Sequence, residues 1–149
     1  MADIRFYHLQ GQLPAKAVAR LLEKVLDAGH RALVLVASQA SAERLDETLW
    51  TYEPASFLPH GQAGGPYADQ QPVLIATGET DANGADVLLV LDDRIPDGLE
   101  HWQHCLYLFD GTDDDALARA RARWTALRQA GHRVAYWQQN AAGGWAQKG

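Results

Sequence analysis

The chain has 149 residues, of which 47% are hydrophobic, and it carries a formal net charge of −6 at pH 7. This length suits one domain and is short for two, and the acidic balance argues against broad binding to nucleic-acid phosphates, which requires clustered lysine and arginine. The single cysteine, Cys105, excludes an intrachain disulfide and a cluster of thiolate zinc ligands. No signal peptide or membrane-spanning run is recognisable, so we expect a cytoplasmic protein that binds no membrane and meets DNA only indirectly.

The first part of the chain predicts two successive strand and helix units. Residues 4–9, IRFYHL, form the first predicted strand. Apolar residues then recur at three- and four-residue spacing up to Gly29, as in an amphipathic helix that ends at a glycine. A buried strand, RALVLVA, precedes a second helix, which Ser38 or Ser41 would cap and which ends near Trp50. Two such units in a row imply right-handed crossovers between strands.

The segment at residues 45–60, LDETLWTYEPASFLPH, carries large apolar side chains where the chain should be irregular. Pro54 and Pro59 halt a helix because the proline ring fixes φ and removes a donor. Trp50 and Phe57 nevertheless lie in or next to this stretch. Such apolar groups are either a lid over the domain's own core or a patch for a partner.

The second part predicts four more strands and one long helix. After a glycine-rich stretch that predicts a mobile loop, GQAGGPYADQQ, come the strand candidates PVLIATG, DVLLVLD and CLYLFD. The helix DDDALARARARWTALRQAG begins with aspartates, which its dipole favours, and should end at Gly131. A last strand, HRVAYWQQ, leads into a flexible tail at residues 141–149. We therefore expect one α/β domain over residues 1–140, with a mostly parallel sheet and helices on both faces.

No phosphate-binding or metal-binding motif stands out. The segment HLQGQLPAK lacks the glycine fingerprints of dinucleotide and P-loop sites, and GQAGG does not lie between a strand and a helix. His101, His104 and Cys105 are residue types that bind zinc, but alternate residues of a strand point apart and no second pair completes a tetrahedral set. We therefore expect no metal and no cofactor.

Carboxylates at the predicted strand ends raise an alternative, a small α/β nucleotide-using or hydrolytic enzyme. Asp92, Asp93 and Asp110 follow strands, where α/β enzymes often keep catalytic groups. Strand ends also need polar turn residues, and no serine, histidine or lysine is placed to form a nucleophile and base pair. We expect that the isolated chain is not an enzyme.

The last helix predicts an apolar stripe bordered by arginines. On a helical wheel the stripe consists of Leu117, Ala120, Trp124 and Leu127. Arg121 and Arg128 lie together along its edge, and Arg119 and Arg123 add to a local positive zone in an acidic protein. Helical arginines usually form a solvated face. This border also suits a peptide that ends in acidic residues and a hydrophobic side chain, because guanidinium groups bind carboxylates in bidentate fashion.

Three segments in order make the chain resemble the chi subunit family of the bacterial DNA polymerase III holoenzyme. They are FYHL, RLDETLW followed by SFLPHG, and ARARWTALRQAGHRVAYW. The resemblance covers almost the whole length. It implies a Rossmann-like α/β fold without catalysis, monomeric when alone, that acts as an accessory subunit of the clamp-loader complex in DNA replication.

The resemblance also implies two partner-binding surfaces. The surface for the psi subunit or an accessory helicase would comprise Trp50, Phe57, Pro59 and His60. The surface for the acidic C-terminal tail of single-stranded DNA-binding protein would comprise Arg121, Trp124 and Arg128. The chain departs from the family's best-studied members at Leu117 and Thr125, where those members have lysines.

Overall fold

The structure, a computed structural model, describes residues 2–10, 15–51, 58–96, 98–99, 102–139 and 144–148. Within these ranges there are eight strands: β1 (Asp3–Leu9), β2 (Ala32–Leu35), β3 (His60–Gln62), β4 (Val73–Ala76), β5 (Val87–Val90), β6 (His104–Asp110), β7 (Arg133–Gln139) and β8 (Trp145–Gln147). The described helices are α1 (Ala15–Asp27), α2 (Gln39–Thr51) and α3 (Asp114–Gln129).

All eight strands belong to one sheet, in the order β3-β4-β2-β5-β6-β1-β7-β8. Every neighbouring pair is parallel except β7 and β8, which are antiparallel. Leu22 of α1 and Leu49 of α2 pack into the core on one face, whereas Ala120 of α3 packs into the core on the other. The predicted α/β domain with a mostly parallel sheet and helices on both faces is confirmed.

The central strands form because their sequences are apolar throughout. All residues of β2, β4 and β5 are buried, as expected for parallel strands that are covered on both faces. In β1 the side chains alternate, so that Ile4 and Phe6 face the α3 side and Tyr7 and Leu9 face the α1 side. No helix in the described ranges is long and apolar enough to span a membrane.

The helix ends follow the predicted capping residues. Of the two serines proposed for α2, Ser38 acts as the cap, since its Oγ accepts a hydrogen bond from the Ser41 backbone N–H at 3.1 Å. Asp113 caps α3 by accepting hydrogen bonds from two backbone N–H groups. Gly29 and Gly131 follow α1 and α3 with φ of 85° and 93°, a left-handed conformation that favours glycine.

Two segments contain secondary structure that the sequence did not predict. The glycine-rich stretch, predicted as a mobile loop, contributes β3 and a short 3-10 turn at Ala68–Gln70. The predicted flexible tail contains β8, and the ring of Trp145 packs edge-on against Tyr7 with centroids 5.1 Å apart. Strands of only three residues give no usable periodicity, and these two are fixed by pairing with β4 and β7.

Candidate protein-interaction surfaces

The apolar stripe predicted on α3 is the side of the helix that packs against the sheet. Ala120 is fully buried among the core residues of this face, which include Phe6 and Tyr107. The other members of the stripe, Leu117, Trp124 and Leu127, are partly buried against the same core. The stripe therefore fixes which way the arginines at its two borders point.

Asp93, in the turn after β5, faces the two arginines at one border of α3. Arg123 Nε donates to Asp93 Oδ1 at 3.2 Å, and Arg119 Nε lies 3.9 Å from Asp93 Oδ2. The Tyr107 hydroxyl also donates to Asp93 Oδ1. The predicted local positive zone of four arginines is therefore divided, because one carboxylate of the same chain lies against two of them and offsets part of their charge.

The opposite border of α3 keeps its positive charge. Among the described residues, no carboxylate forms an ion pair with Arg121 or Arg128. The guanidinium carbon of Arg128 lies 4.7 Å from the centroid of the Trp124 ring, a cation–π contact. The indole Nε1 of Trp124 is buried and has no hydrogen-bond partner in the described part of the chain. We call Arg121, Trp124 and Arg128 the α3 edge.

A histidine and a tyrosine lie close to Arg121. His8 Nδ1 is 2.7 Å from the Tyr136 hydroxyl oxygen. Burial lowers the pKa of His8 below its usual value, the charge of Arg121 lowers it further, and the Asp110 carboxylate acts in the opposite direction. Burial raises the pKa of Tyr136, so its hydroxyl stays protonated although the Arg121 charge opposes that shift. The α3 edge therefore continues into a partly buried polar pair on the sheet.

Leu117 and Thr125, the two departures noted above, bring no charge to this border. Leu117 packs against the core. The Thr125 hydroxyl donates to the backbone carbonyl of Arg121 at 3.1 Å, a bond within the helix. The positive charge of the α3 edge thus comes from Arg121 and Arg128.

The second surface lies at the end of α2, next to β3. The Trp50 side chain is 54% exposed and Pro59 is half-buried, whereas His60 is only 5% exposed. The rings of Trp50 and His60 are 4.6 Å apart, and His60 Nδ1 lies 2.6 Å from the Leu58 carbonyl oxygen. We call Trp50, Pro59 and His60 the Trp50 patch. Phe57 lies outside the described residues.

His60 supports the Trp50 patch from below. Its Nε2 lies 3.1 Å from the Asp46 carbonyl oxygen and 3.2 Å from the Asp46 carboxylate oxygen Oδ1, so both ring nitrogens face oxygen acceptors. These contacts fix the orientation of the His60 ring, against which the Trp50 indole packs. The His60 ring itself exposes little surface. Its contribution to an interface would be to position Trp50.

The carboxylates at the strand ends bind groups of their own chain. Asp92 Oδ2 accepts from the Ala37 backbone N–H at 3.1 Å, and Asp110 Oδ1 accepts from the Thr112 hydroxyl at 2.6 Å. Burial alone would raise the pKa of Asp93, but hydrogen bonds from Arg123 and Tyr107 outweigh it and hold the pKa below its usual value. A cavity of about 340 Å³ opens between these aspartates and α3.

The histidine and cysteine pattern near β6 does not converge. His104 and Cys105 are neighbours on a strand and face opposite sides of the sheet, and His101 lies outside the described residues. Burial raises the pKa of the Cys105 thiol to about 12, because the charged form is desolvated. The described residues contain no group of three or more His, Cys, Asp or Glu side chains placed to hold a metal ion.

Sequence reasoning found the α3 edge but missed what surrounds it. A helical wheel separates apolar from polar positions, yet it carries no information on Asp93, which is 30 residues from Arg123. His8 and Tyr136 are 128 residues apart and meet only because β1 pairs with β7. Local sequence contains no signal for such a pair.

Comparison with known proteins gives consistent matches. A family model described as "DNA polymerase III chi subunit, HolC" matches residues 1–135. The DNA polymerase III subunit chi of Haemophilus influenzae is 30% identical over 112 residues, which cover 74% of this chain and 77% of that protein. The probable DNA polymerase III subunit chi of Rickettsia prowazekii is 32% identical over 91 residues, which cover 61% of this chain and 55% of that protein. The chain thus spans about half the length of the Rickettsia relative.

Proposed function

The chain belongs to the DNA polymerase III chi subunit family and is an accessory subunit of the DNA replication machinery, and on that premise we propose that its α3 edge binds the acidic C-terminal tail of single-stranded DNA-binding protein. In this role the chain is non-catalytic. It links the clamp-loader complex of the holoenzyme to single-stranded DNA through a protein contact, which agrees with its net charge of −6.

The observation that carries this proposal is the division of the α3 arginines. Arg119 and Arg123 face Asp93, whereas Arg121 and Arg128 have no carboxylate partner among the described residues. Guanidinium groups form bidentate hydrogen bonds with carboxylates, so this border offers two sites for acidic side chains. Trp124 lies between them and supplies an apolar surface for a terminal phenylalanine.

The same features set the strength and the salt dependence of the interaction. Leu117 and Thr125 bring no charge, so two arginines hold the acidic residues, and we expect a dissociation constant on the order of 1 μM or weaker. The arginines are exposed, and the Debye length shortens to about 8 Å at physiological ionic strength. Affinity should therefore fall as salt is added.

Fluorescence anisotropy with the labelled tail peptide tests the proposal. Losing a charge-assisted hydrogen bond costs about 1.5–3 kcal/mol, so Arg121→Ala should weaken binding at least several-fold. The matched control is Arg119→Ala on the same helix, which removes a charge that already faces Asp93 and should leave the affinity close to wild type. Equal isotherms for wild type and Arg121→Ala, or a larger loss with Arg119→Ala, would remove the α3 edge from the site.

We further propose that the Trp50 patch binds a second protein, the psi subunit or an accessory helicase. Exposed tryptophans are enriched among the residues that dominate protein interfaces, and the ring of Trp50 stands on a buried, hydrogen-bonded His60. Phe57 belongs to the same proposal from the sequence alone.

A further inference from the structure

His8 and Tyr136 lie beside the α3 edge and have no part in the function proposed above. We propose that they extend the site: together with Arg121 they bind a carboxylate of the acidic peptide, and His8 takes up a proton when the peptide binds. This inference rests on the proposed function, since it concerns the same peptide.

The strand pairing and a glycine fix where the imidazole lies. β1 runs parallel to β7, which places His8 and Tyr136 on the sheet face that α3 covers. The Phe109 ring packs against both, with its centroid 5.2 Å from that of His8 and 6.1 Å from that of Tyr136. A Cβ at Gly111 would lie 1.7 Å from His8 Nε2, so the ring occupies space that only glycine leaves open. The imidazole is therefore confined next to α3.

Three side chains from three elements face His8. Arg121 approaches from α3, Asp110 from the end of β6 and Tyr136 from β7. Asp110 is engaged by the Thr112 backbone N–H and hydroxyl. Burial and the Arg121 charge outweigh Asp110 and keep the pKa of His8 below its usual value, which favours the neutral ring in the free protein. A negative charge placed beside Arg121 offsets this repulsion and raises the pKa of His8.

Protonation also changes which group donates in the His8 and Tyr136 pair. A neutral His8 can accept at Nδ1 the hydrogen of the Tyr136 hydroxyl, 2.7 Å away. Once His8 is protonated, Nδ1–H donates to the tyrosine oxygen, and the hydroxyl hydrogen is released to donate to a carboxylate. One proton from solvent is taken up for each His8 that becomes charged. The site gains a positive charge and a donor in the same step.

The pH dependence of tail-peptide affinity tests this inference. Anisotropy titrations at constant ionic strength run from about pH 8 to about pH 5.5, a range in which histidine titrates and the peptide carboxylates stay ionised. Because binding raises the pKa of His8, affinity increases as the pH falls through the range in which histidine titrates. Wild type should therefore bind at least about threefold more tightly at the lower pH, and His8→Gln should not.

Two further variants distinguish the effect of His8 from effects of pH and of substitution in general. His104→Gln makes the same substitution on the opposite face of the sheet and should keep the wild-type pH profile. Tyr136→Phe removes the released donor and should weaken binding most at the acidic end. Melting curves of each variant check the fold, and calorimetry of wild type in two buffers of different ionisation enthalpy measures proton uptake without any substitution.

The outcomes distinguish this inference from the proposed function. A wild-type affinity that does not change with pH, or a His8→Gln variant that keeps the wild-type pH profile, overturns this inference. Weaker binding by Arg121→Ala would still support the α3 edge as the tail site in that case. Zero proton uptake by wild type overturns this inference equally. Absence of peptide binding at every pH would reject the proposed function itself.

Discussion

At the scale of single residues, Asp93 determines which arginines of α3 remain available. It lies in the turn after β5 with φ of 57°, and the preceding Asp92 has φ of 56°, a left-handed conformation that aspartate tolerates better than most residues. The turn aims the Asp93 carboxylate at Tyr107 and Arg123. Asp93 therefore both joins β5 to α3 and offsets part of the positive charge of the helix.

The contribution of Asp93 to stability should depend on pH. The folded-state pKa of this carboxyl lies below its unfolded value, so its stabilisation is present above the unfolded pKa and is lost as pH falls through the folded pKa. Asp93→Asn keeps the left-handed turn accessible and should cost about 1–3 kcal/mol at neutral pH.

Urea unfolding of wild type and Asp93→Asn measures this difference at neutral pH and below about pH 3, where a carboxyl of ordinary pKa is mostly protonated. The free energy that separates the two proteins should shrink at the lower pH. An undiminished difference would show that the charge of Asp93 is not what Arg123 and Tyr107 stabilise.

Trp50 gives the second prediction at this scale. Trp50→Ala should weaken capture of the psi subunit by about 2 kcal/mol or more, because aromatic anchors dominate such interfaces, while the melting temperature stays nearly unchanged. Tyr67→Ala is the matched control, since Tyr67 is 61% exposed and lies outside the Trp50 patch. Pull-down followed by titration measures both. A large drop in melting temperature with Trp50→Ala would mark the indole as part of the core, and equal losses for both variants would mean that the patch is not specific.

The residues of the candidate sites were predictable from the sequence to different degrees. The stripe of Ala120 and Trp124 follows from helical periodicity and is confirmed. The burial of His60 does not follow from the sequence, because the residues next to His60 do not indicate that the Trp50 ring packs on it. Contacts such as that of Asp93 with Arg123 arise from the order of strands in the sheet, which local patterns do not encode.

At the scale of elements, the three described helices and the long strands behave as their patterns predict, and the two short edge strands do not. β4 and β5 were recognised because continuous apolar runs are typical of covered parallel strands. β3 and β8 have three residues each and form because they pair with the neighbouring strands β4 and β7. Their formation is a tertiary effect that propensity alone does not report.

The strand β8 gives a prediction at this scale. Trp145 packs against the core on the α1 side and covers the edge of the Tyr7 ring. Trp145→Ala should lower stability by about 1–3 kcal/mol, because it uncovers apolar surface that is partly shielded.

Thermal or urea unfolding measures the effect, and Lys148→Ala, at an exposed position directly after the same strand, is the control that leaves the indole in place. A Trp145→Ala variant as stable as wild type would mean that Trp145 adds nothing to the fold, as expected of the flexible tail that the sequence predicts.

At the scale of the whole molecule, the two proposed surfaces lie far apart in the sheet. The Trp50 patch borders β3, the first strand in the sheet order, whereas the α3 edge borders β7, next to the last. α2 and α3 also cover opposite faces. The two proposed surfaces would therefore let one copy of the chain hold two partners at once.

A non-catalytic role predicts indifference to small enzyme ligands. Addition of a mononucleotide or a divalent metal should leave the melting temperature unchanged, because neither is expected to bind. A ligand that did bind, at 100 times its dissociation constant, would add about 2.7 kcal/mol of stability. Differential scanning fluorimetry makes this comparison, with the tail peptide as the positive control. A shift of several degrees with a nucleotide would favour the alternative of a nucleotide-using enzyme.

The tryptophan indole signals in a nitrogen–proton correlation spectrum provide the most direct test of the central claim, that the α3 edge is the tail site. The chain has five tryptophans. Trp124 lies on the α3 edge, Trp50 marks the other proposed surface, and Trp137 and Trp145 lie on the opposite face of the sheet. Tryptophan to phenylalanine variants assign the signals. On titration with the tail peptide, the Trp124 signal should move and saturate while that of Trp50 stays in place. A Trp124 signal that does not respond while another indole saturates would contradict the account.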